Sequence, residues 1–90
     1  MFLHLGQDTV ITADEIIGIF DIDTTTVSKA TREYLTNKEK SGNVVNVSYE
    51  LPKSFIVTLD KLSGEKKVYI SPISSVTLLK RIENVNYIKD

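Results

Sequence analysis

The sequence has no cysteine and a single histidine among its 90 residues. The lack of cysteine excludes disulfides, thiolate zinc sites, iron–sulfur ligation and cysteine nucleophiles. His4 stands alone on a short apolar segment, and nucleophilic triads and histidine metal sites both need partner residues. The patterns of nucleotide-binding loops, zinc proteases, hydrolase nucleophiles and calcium loops are missing too. We therefore expect a protein that is not an enzyme, with no catalytic residues, cofactor or metal.

Long apolar runs and targeting signals are also missing. No stretch approaches the roughly 20 apolar residues that span a bilayer. The N-terminal MFLHLGQDTV has neither a basic region nor an apolar stretch of signal-peptide length. The chain is long enough for one domain and too short for two. We expect a single domain over residues 1–82, a polar, frayed tail over 83–90, and a cytoplasmic protein without a membrane or small-molecule partner.

Charge is distributed unevenly along the chain, although the net charge is only −1. Residues 1–23 hold five acids and no Lys or Arg, whereas residues 24–90 hold all eleven basic residues against seven acids. Charge segregated along the chain can become segregated across the surface, or packing can mix the two ends again. Four early acids could seat a hard cation, but beside a strand they more often solubilise or cap; they are Asp14, Glu15, Asp21 and Asp23.

Apolar patterning in the first 23 residues predicts strands. Phe2–Leu5 and Thr9–Thr12 flank a turn at Gly6-Gln7-Asp8, which indicates a hairpin or a bent strand pair. Ile16–Phe20 is a short, β-branched, strongly apolar run, and it predicts a buried central strand. Gly18 inside that run marks a bulge or a close neighbour.

The clearest predicted helix is Thr24–Lys40. Its apolar stripe has a 3.6-residue period and consists of Val27, Ala30, Thr31, Tyr34 and Leu35. One of Thr24, Thr25 and Thr26 can supply the N-cap oxygen, and Gly42 suits the left-handed residue just past the end. We expect Tyr34 and Leu35 to be buried.

The second half of the chain predicts three strands of a meander followed by a helix. The strands are Val44–Tyr49, Lys53–Asp60 and Lys66–Ile70, with a break at Glu50-Leu51-Pro52 and a turn around Gly64. Ser71-Pro72 is a good helix start, and the helix should run to about Ile82 with Ile73, Val76, Leu79 and Ile82 as its apolar stripe. The order β-β-β-α-β-β-β-α indicates an α+β fold with a mostly antiparallel sheet and two helices.

Exposed cations are the remaining functional lead. Five basic residues lie at predicted element ends or on exposed helix faces: Lys29, Arg32, Lys53, Lys80 and Arg81. Binding to a phosphate backbone needs only such cations at suitable spacing, although a solvated charged face looks the same in one sequence. Serines near the second helix start could cradle an anion and are more often caps and turn residues; they are Ser71, Ser74 and Ser75.

Five strings give the chain a family resemblance: MFLHLG, EIIGIFD, TVSKATREYL, PKSFIVT and VYISPISSVTLLKR. Over most of residues 1–82 the sequence resembles the RemB branch of the RemA/RemB family, small bacterial extracellular matrix regulatory proteins. From the RemA side of that family, the resemblance implies a fold related to LytTR-type DNA-binding domains. It also implies ring assembly, DNA bound around the outside of the ring, and activation of biofilm matrix genes.

The chain departs from the RemA-like pattern at two places. RemA-like chains carry an arginine-rich stretch where this chain reads Glu50-Leu51-Pro52-Lys53, and an arginine where this chain has Glu15. We expect an oligomeric, DNA-associated transcription regulator whose phosphate contacts come first from Lys53 and Arg32, then from Lys29, Lys80 and Arg81. The alternative is an oligomeric assembly or protein-interaction module without DNA binding.

A thin-cored domain with a short apolar edge predicts self-association. Phe2, Leu3 and Leu5 should be buried against a neighbouring copy. Light scattering at micromolar concentration should report a mass above the 10.1 kDa of the chain, and Phe2→Asp should lower that mass. A 10.1 kDa particle over a wide concentration range would contradict this expectation.

Overall fold

A two-stranded hairpin, a four-stranded sheet and two α-helices make up the part of the chain that the computed structural model describes. That part comprises residues 1–22 and 29–89, with side chains described for 1–22 and 33–83. The elements are β1 (Phe2–Gly6), β2 (Thr9–Thr12), a 3₁₀ helix (Ala13–Glu15), β3 (Ile16–Asp21), α1 (Lys29–Lys40), β4 (Val44–Asn46), β5 (Ser54–Leu59), β6 (Lys66–Ser71) and α2 (Ser75–Lys89). The expected α+β class is confirmed, and so is the N-terminal hairpin.

The four-stranded sheet has the order β3-β5-β6-β4. β5 is antiparallel to both β3 and β6, whereas β4 is parallel to β6. The expected meander is therefore wrong, because the segment between β4 and β5 crosses the end of β6. Two hydrogen bonds hold this crossing: Val47 N–H donates to Ile70 O at 3.0 Å, and Lys53 N–H donates to Ser71 O at 2.9 Å.

The central strand is β5 and not β3. All of Ser54–Thr58 is buried, and β5 has a neighbouring strand on each side. β3 forms one edge of the sheet and is at most half-buried, so the expectation of a buried central strand there is wrong. The predicted bulge is confirmed, because the register shifts between Ile16 and Gly18. A Cβ on Gly18 would lie 2.7 Å from the Phe20 ring, so a side chain there would require this ring to move.

The two faces of β5 bury different partners, because successive side chains of a strand point in opposite directions. On one face Ile56 packs with the hairpin and α2, in a core that contains Leu3, Leu5, Ile11, Val47 and Leu78. On the other face Phe55 and Val57 pack with Val68 and the half-buried Leu35 of α1. The sheet is thus the middle of three layers, a common arrangement in which both faces of a sheet are covered.

α2 begins three residues later than Ser71-Pro72 would place it. Ser74 is the N-cap, because its Oγ accepts the N–H of Thr77 at 3.2 Å. Ser71 is buried; its hydroxyl donates to Leu5 O at 2.6 Å and accepts from Ile73 N–H at 3.0 Å. The backbone of 83–89 continues the helix, whereas a frayed tail was expected from residue 83.

The buried face of α2 also differs from the expected stripe. Val76 and Leu79 are 57% and 47% exposed, whereas Leu78 is fully buried. The rotation of the helix follows from Ser75, whose hydroxyl donates to the carboxylate of Asp21 at the end of β3. Residues three and seven positions beyond Ser75 share its face, so Leu78 and the half-buried Ile82 point toward the sheet.

The end of α1 matches the expectation, but its expected buried face is only partly buried. Leu35 is half-buried against the sheet, but Tyr34 is 36% exposed, with Lys38 Nζ 5.9 Å from its ring centroid. The expected N-cap at Thr24–Thr26 and the apolar Val27 lie outside the described residues, as do the side chains of Ala30 and Thr31.

The end of α1 is a Schellman motif, as the position of Gly42 predicted. Asn43 N–H donates to Lys38 O at 3.0 Å, and Gly42 N–H donates to Glu39 O at 3.1 Å. Gly42 adopts φ +79°, a conformation that side chains with a Cβ rarely take.

Two neighbouring leucines of α2 provide a matched test of this packing. Leu78→Ala should reduce the free energy of unfolding by about 2–5 kcal/mol, because it leaves a cavity in the core. Leu79→Ala should cost less than about 0.5 kcal/mol, because its side chain already meets solvent. Urea unfolding of the two variants measures both values, and equal losses would mean that the helix is rotated differently.

Candidate nucleic-acid interface

Lys53 projects from an ordered end of the sheet, where β3 and β6 finish and β5 begins. Its N–H donates to Ser71 O and its C=O accepts from Ile22 N–H, both at 2.9 Å. The lysine side chain is exposed. Because both backbone groups are bonded to neighbouring segments, the ammonium group is carried by a fixed backbone. We call this surface, comprising Lys53, Asp21 and the first residues of α2, the Lys53 end.

The serines at the Lys53 end serve the fold. Ser54 Oγ donates to Ile73 O at 2.7 Å, and Ser74 Oγ donates to Thr77 Oγ1 at 3.0 Å. Ser75 is bonded to the Asp21 carboxylate, which brings a negative charge to the start of α2. These contacts account for Ser74 and Ser75 as capping and joining residues, and they do not support an anion cradle at this helix start.

Arg81 and Lys80 lie farther along α2. Arg81 Nη1 donates to His4 O at 2.9 Å, so this arginine ties α2 to the hairpin as well as carrying charge at the surface. A guanidinium has five N–H groups, and the Arg81 side chain is exposed. Lys80 is exposed too. Arg81 lies six residues beyond Ser75, which is about 9 Å along the helix axis.

Two of the five predicted cations lie on α1. Lys29 and Arg32 belong to α1, but their side chains are outside the described ones. The other three cations lie on or near α2. Lys80 and Arg81 belong to this helix, and Lys53 lies at the end of the sheet near which the helix begins.

Glu15 lies at the opposite end of the sheet from Lys53. Ile16 is opposite Thr58 in β5, whereas Asp21 is opposite Ser54. Five strand steps separate these ends, a distance of about 17 Å. The two places where the sequence departs from an arginine-bearing pattern are therefore not one site on the subunit.

A small cleft of about 90 Å³ opens at the Glu15 end. Its lining mixes charges of both signs: Glu15, Asn43, Thr58, Asp60, Glu65, Lys66, Lys67 and Tyr69. Sequence reasoning overlooked Lys66 and Lys67, although adjacent lysines at a strand start are a visible signal. Three carboxylates beside two ammonium groups do not concentrate positive potential, so this cleft is a weaker phosphate site than the Lys53 end.

Asp60 shapes the turn beside this cleft. Its Oδ1 accepts the N–H of Leu62 at 2.8 Å and that of Ser63 at 3.2 Å. The Leu62 bond, followed by the Ser63 bond, lowers the pKa of the Asp60 carboxyl below its ordinary value, because both favour the charged form. Lys67 adds a smaller attraction in the same direction.

The expected oligomer interface is corrected for two of its three residues. Leu3 and Leu5 are 3% and 0% exposed and belong to the core of the subunit. The alternation of the strand explains this, since Leu3 and Leu5 point inward and Phe2 and His4 outward. Phe2 is 73% exposed and remains available.

Several exposed apolar side chains escaped sequence reasoning. Tyr49 was expected to end the strand that begins at Val44, but β4 ends at Asn46 and Tyr49 is fully exposed. Ile17 and Phe20, on β3, are 53% and 47% exposed. They are uncovered because β3 is the outermost strand among the described elements, which single-sequence patterns do not reveal.

The described residues contain neither a metal cluster nor a membrane-spanning helix. Over the described residues, no group of three or more His, Asp, Glu or Cys side chains could hold a metal ion; Asp23 lies outside that range. Within the same part of the chain, neither helix combines the length and the hydropathy that crossing a bilayer requires.

Comparison with known proteins identifies the family to which this chain belongs. Residues 2–82 match the family model described as RemA-like, Extracellular matrix regulatory protein A-like. The chain belongs to this family. It is similar to Extracellular matrix regulatory protein B of Bacillus subtilis (strain 168), with 37% identity over 83 residues, covering 92% of this chain and 91% of that protein.

The Asp60 turn predicts one pH-dependent contribution to stability. A carboxyl whose pKa is lowered by folding stabilises the protein above its unfolded pKa, and this contribution is lost as the pH falls through the folded pKa. Asp60→Asn should remove that contribution and keep the turn, because the amide oxygen accepts the same N–H groups without titrating. Urea unfolding across the acidic range measures both proteins; identical pH profiles would contradict the assignment.

Proposed function

We propose that this protein is a bacterial regulator of extracellular matrix, and hence biofilm, production that acts in the cytoplasm as an oligomer bound to DNA. The observation that carries the proposal is the 37% identity to Extracellular matrix regulatory protein B over almost the full length of both chains. DNA binding, transcription control and a LytTR-like fold follow from the RemA resemblance and belong to the same proposal.

The placement of three cations supports contact with a phosphate backbone. Lys53 is bonded to Ser71, shortly before α2 begins, and Lys80 and Arg81 lie about 8–9 Å along the helix axis from Ser75. One strand of a duplex presents a phosphate every 3.4 Å or so along the axis. The rise along α2 thus corresponds to about two to three phosphates, and contacts to phosphates bind without reading bases.

Binding by each subunit should be weak. Few cations face the duplex, and the Asp21 carboxylate at the Lys53 end opposes them. Each neutralised phosphate contributes about −0.9 to the salt slope. Repetition around an oligomer adds these slopes and raises the effective concentration of the remaining contacts. Oligomerisation is therefore part of the binding mechanism.

An assembly or protein-interaction module without DNA binding is the second candidate. It is favoured by the two places at which the chain departs from the RemA-like arginines, Glu15 and the stretch Glu50-Leu51-Pro52-Lys53. It is favoured also by the exposed apolar side chains of β3, which suit a protein partner better than a phosphate.

A pair of charge reversals tests the DNA reading. Lys53→Glu and Lys61→Glu change the net charge identically, but Lys61 lies in the turn at the far end of β5. In fluorescence-anisotropy titrations with duplex DNA, Lys53→Glu should weaken binding by about tenfold or more. Its salt slope should also fall by about 0.9 for each subunit that loses a phosphate contact. Lys61→Glu should leave affinity within about threefold, because distant exposed charges are screened.

The outcomes separate the two candidates. Equal weakening by both variants would mean that only net charge matters and that the Lys53 end is not the interface. Failure of the unmodified protein to bind at about 50 mM salt, where backbone contacts are strong, would favour the assembly module. Light scattering on both variants checks that the oligomer is unchanged.

A further inference from the structure

The outer edge of β3 carries apolar side chains and backbone groups that pair with no strand of residues 1–22 and 29–89. Ile22 N–H bonds to Lys53 O, and hydrogen-bonded pairs alternate along an antiparallel ladder. Phe20 and Gly18 therefore bond to β5, which directs the N–H and C=O of Ile19 outward. In the described part of the chain no strand pairs with this side of β3.

Apolar side chains flank this edge on both faces of the sheet. On the α1 face Phe20 stacks on Phe55 with ring centroids 5.0 Å apart, yet it stays 47% exposed. On the other face the bond between Ser75 and Asp21 sets the first turn of α2 beside β3. Leu79, one turn later on the same side as Ser75, is 47% exposed. A strand docked here would bury apolar surface above and below itself.

The opposite edge of the sheet is β4, which is also outermost. Asn43 O accepts the N–H of Val68, and Val47 N–H donates to Ile70 O. In a parallel ladder every second residue bonds to the same neighbour, so the N–H and C=O of Val44 and Asn46 point away from β6. Each subunit thus carries two edges able to receive a strand.

The charged residues beside each edge strand determine which two edges can pair between copies. A β3 edge paired with another β3 edge would run antiparallel, setting Asp14 and Glu15 of one copy beside Asp21 of the other, a repulsive arrangement. β4 instead is preceded by Lys38 and Lys40 in the last turn of α1, where they outnumber Glu39. Within one subunit β3 and β4 are parallel. If β3 of one copy pairs with β4 of the next and every copy has the same sheet face outward, the two paired strands are therefore parallel as well. The acids before β3 then lie beside the lysines before β4.

From this complementarity we infer that the β3 edge of one copy pairs in parallel with the β4 edge of the next copy. The inference rests on the oligomer in the proposed function and names its contact surface. Such a contact is head-to-tail, and it forms a ring when the rotation between successive copies closes on itself. Phe20 at the outer edge of β3 would then lie over α1 of the neighbouring copy, where Tyr34 is exposed.

Cysteine cross-linking tests the pairing, and the absence of native cysteine makes it selective. Ile17→Cys and Asn46→Cys place thiols on exposed positions of the two edges. Adjacent strands are about 4.8 Å apart and one residue step is about 3.3 Å. A bis-maleimide spanning about 8 Å should therefore join the doubly substituted protein into a ladder of covalent oligomers. Either single variant should stay at the mass of one chain.

A second variant tests the same edge without cross-linking. Asn46→Pro removes an N–H that points outward, so the bonds between β4 and β6 remain, and proline is tolerated on edge strands. In light scattering it should shift the oligomer to a single chain, whereas Asn46→Ala should not.

Each result bears on a different level of the proposal. Dimers from the Ile17→Cys single variant would overturn the inference in favour of β3–β3 pairing. An oligomer that gives no ladder and tolerates Asn46→Pro would overturn the inference and leave the oligomer of the proposed function intact. A wild-type single chain would overturn both, and DNA titration of that chain would show whether DNA binding survives separately.

Discussion

The burial of β5 on both faces is the constraint from which the rest of this architecture follows. A strand with apolar side chains on both faces must be packed against other elements on each face. Here the hairpin and α2 cover one face, and α1 covers the other. β3 and β6 pair with the two edges of β5, so β4 pairs with the outer edge of β6 and is the last strand of the sheet. The sheet consequently ends in two strands that are only partly covered.

A few buried hydroxyl groups align the layers that apolar packing only brings together. Ser71 joins the hairpin to the sheet through Leu5 O, and Ser54 joins β5 to the segment before α2 through Ile73 O. Apolar contacts tolerate sliding, whereas a buried hydrogen bond has a narrow range of distance and angle. Loss of one partner would leave a buried polar group unsatisfied, at a cost of about 1–3 kcal/mol.

Local signals in the sequence were sufficient to predict some elements, whereas other elements depend on contacts between residues far apart in the chain. The hairpin, the bulge at Gly18 and the end of α1 at Gly42 depend on neighbours within a few residues, and these predictions are confirmed. The status of β3 as an edge depends on β5, about 40 residues away in sequence. Leu3 and Leu5 looked like edge residues for the same reason, since their cover comes from the other end of the chain.

The candidate site was predictable only in part. Lys53 could be found because it precedes an obvious strand, but its neighbours could not. The acid next to it, Asp21, and the helix start beside it come from segments 32 residues before and about 20 residues after it. Likewise, the rotation of α2, and hence the exposure of Leu79 and burial of Leu78, is set by the contact of Ser75 with a strand 54 residues earlier.

The bond between Ser71 and Leu5 joins residues 66 positions apart, and this span has a consequence for how the molecule is made. During synthesis the hairpin leaves the ribosome before β5, β6 and α2, and its inner leucines have no core to enter until those elements follow. Folding is therefore expected to begin with the local β5–β6 pair and to finish when the hairpin docks. For the interval in between, Leu3 and Leu5 are open to chaperones and to other nascent chains.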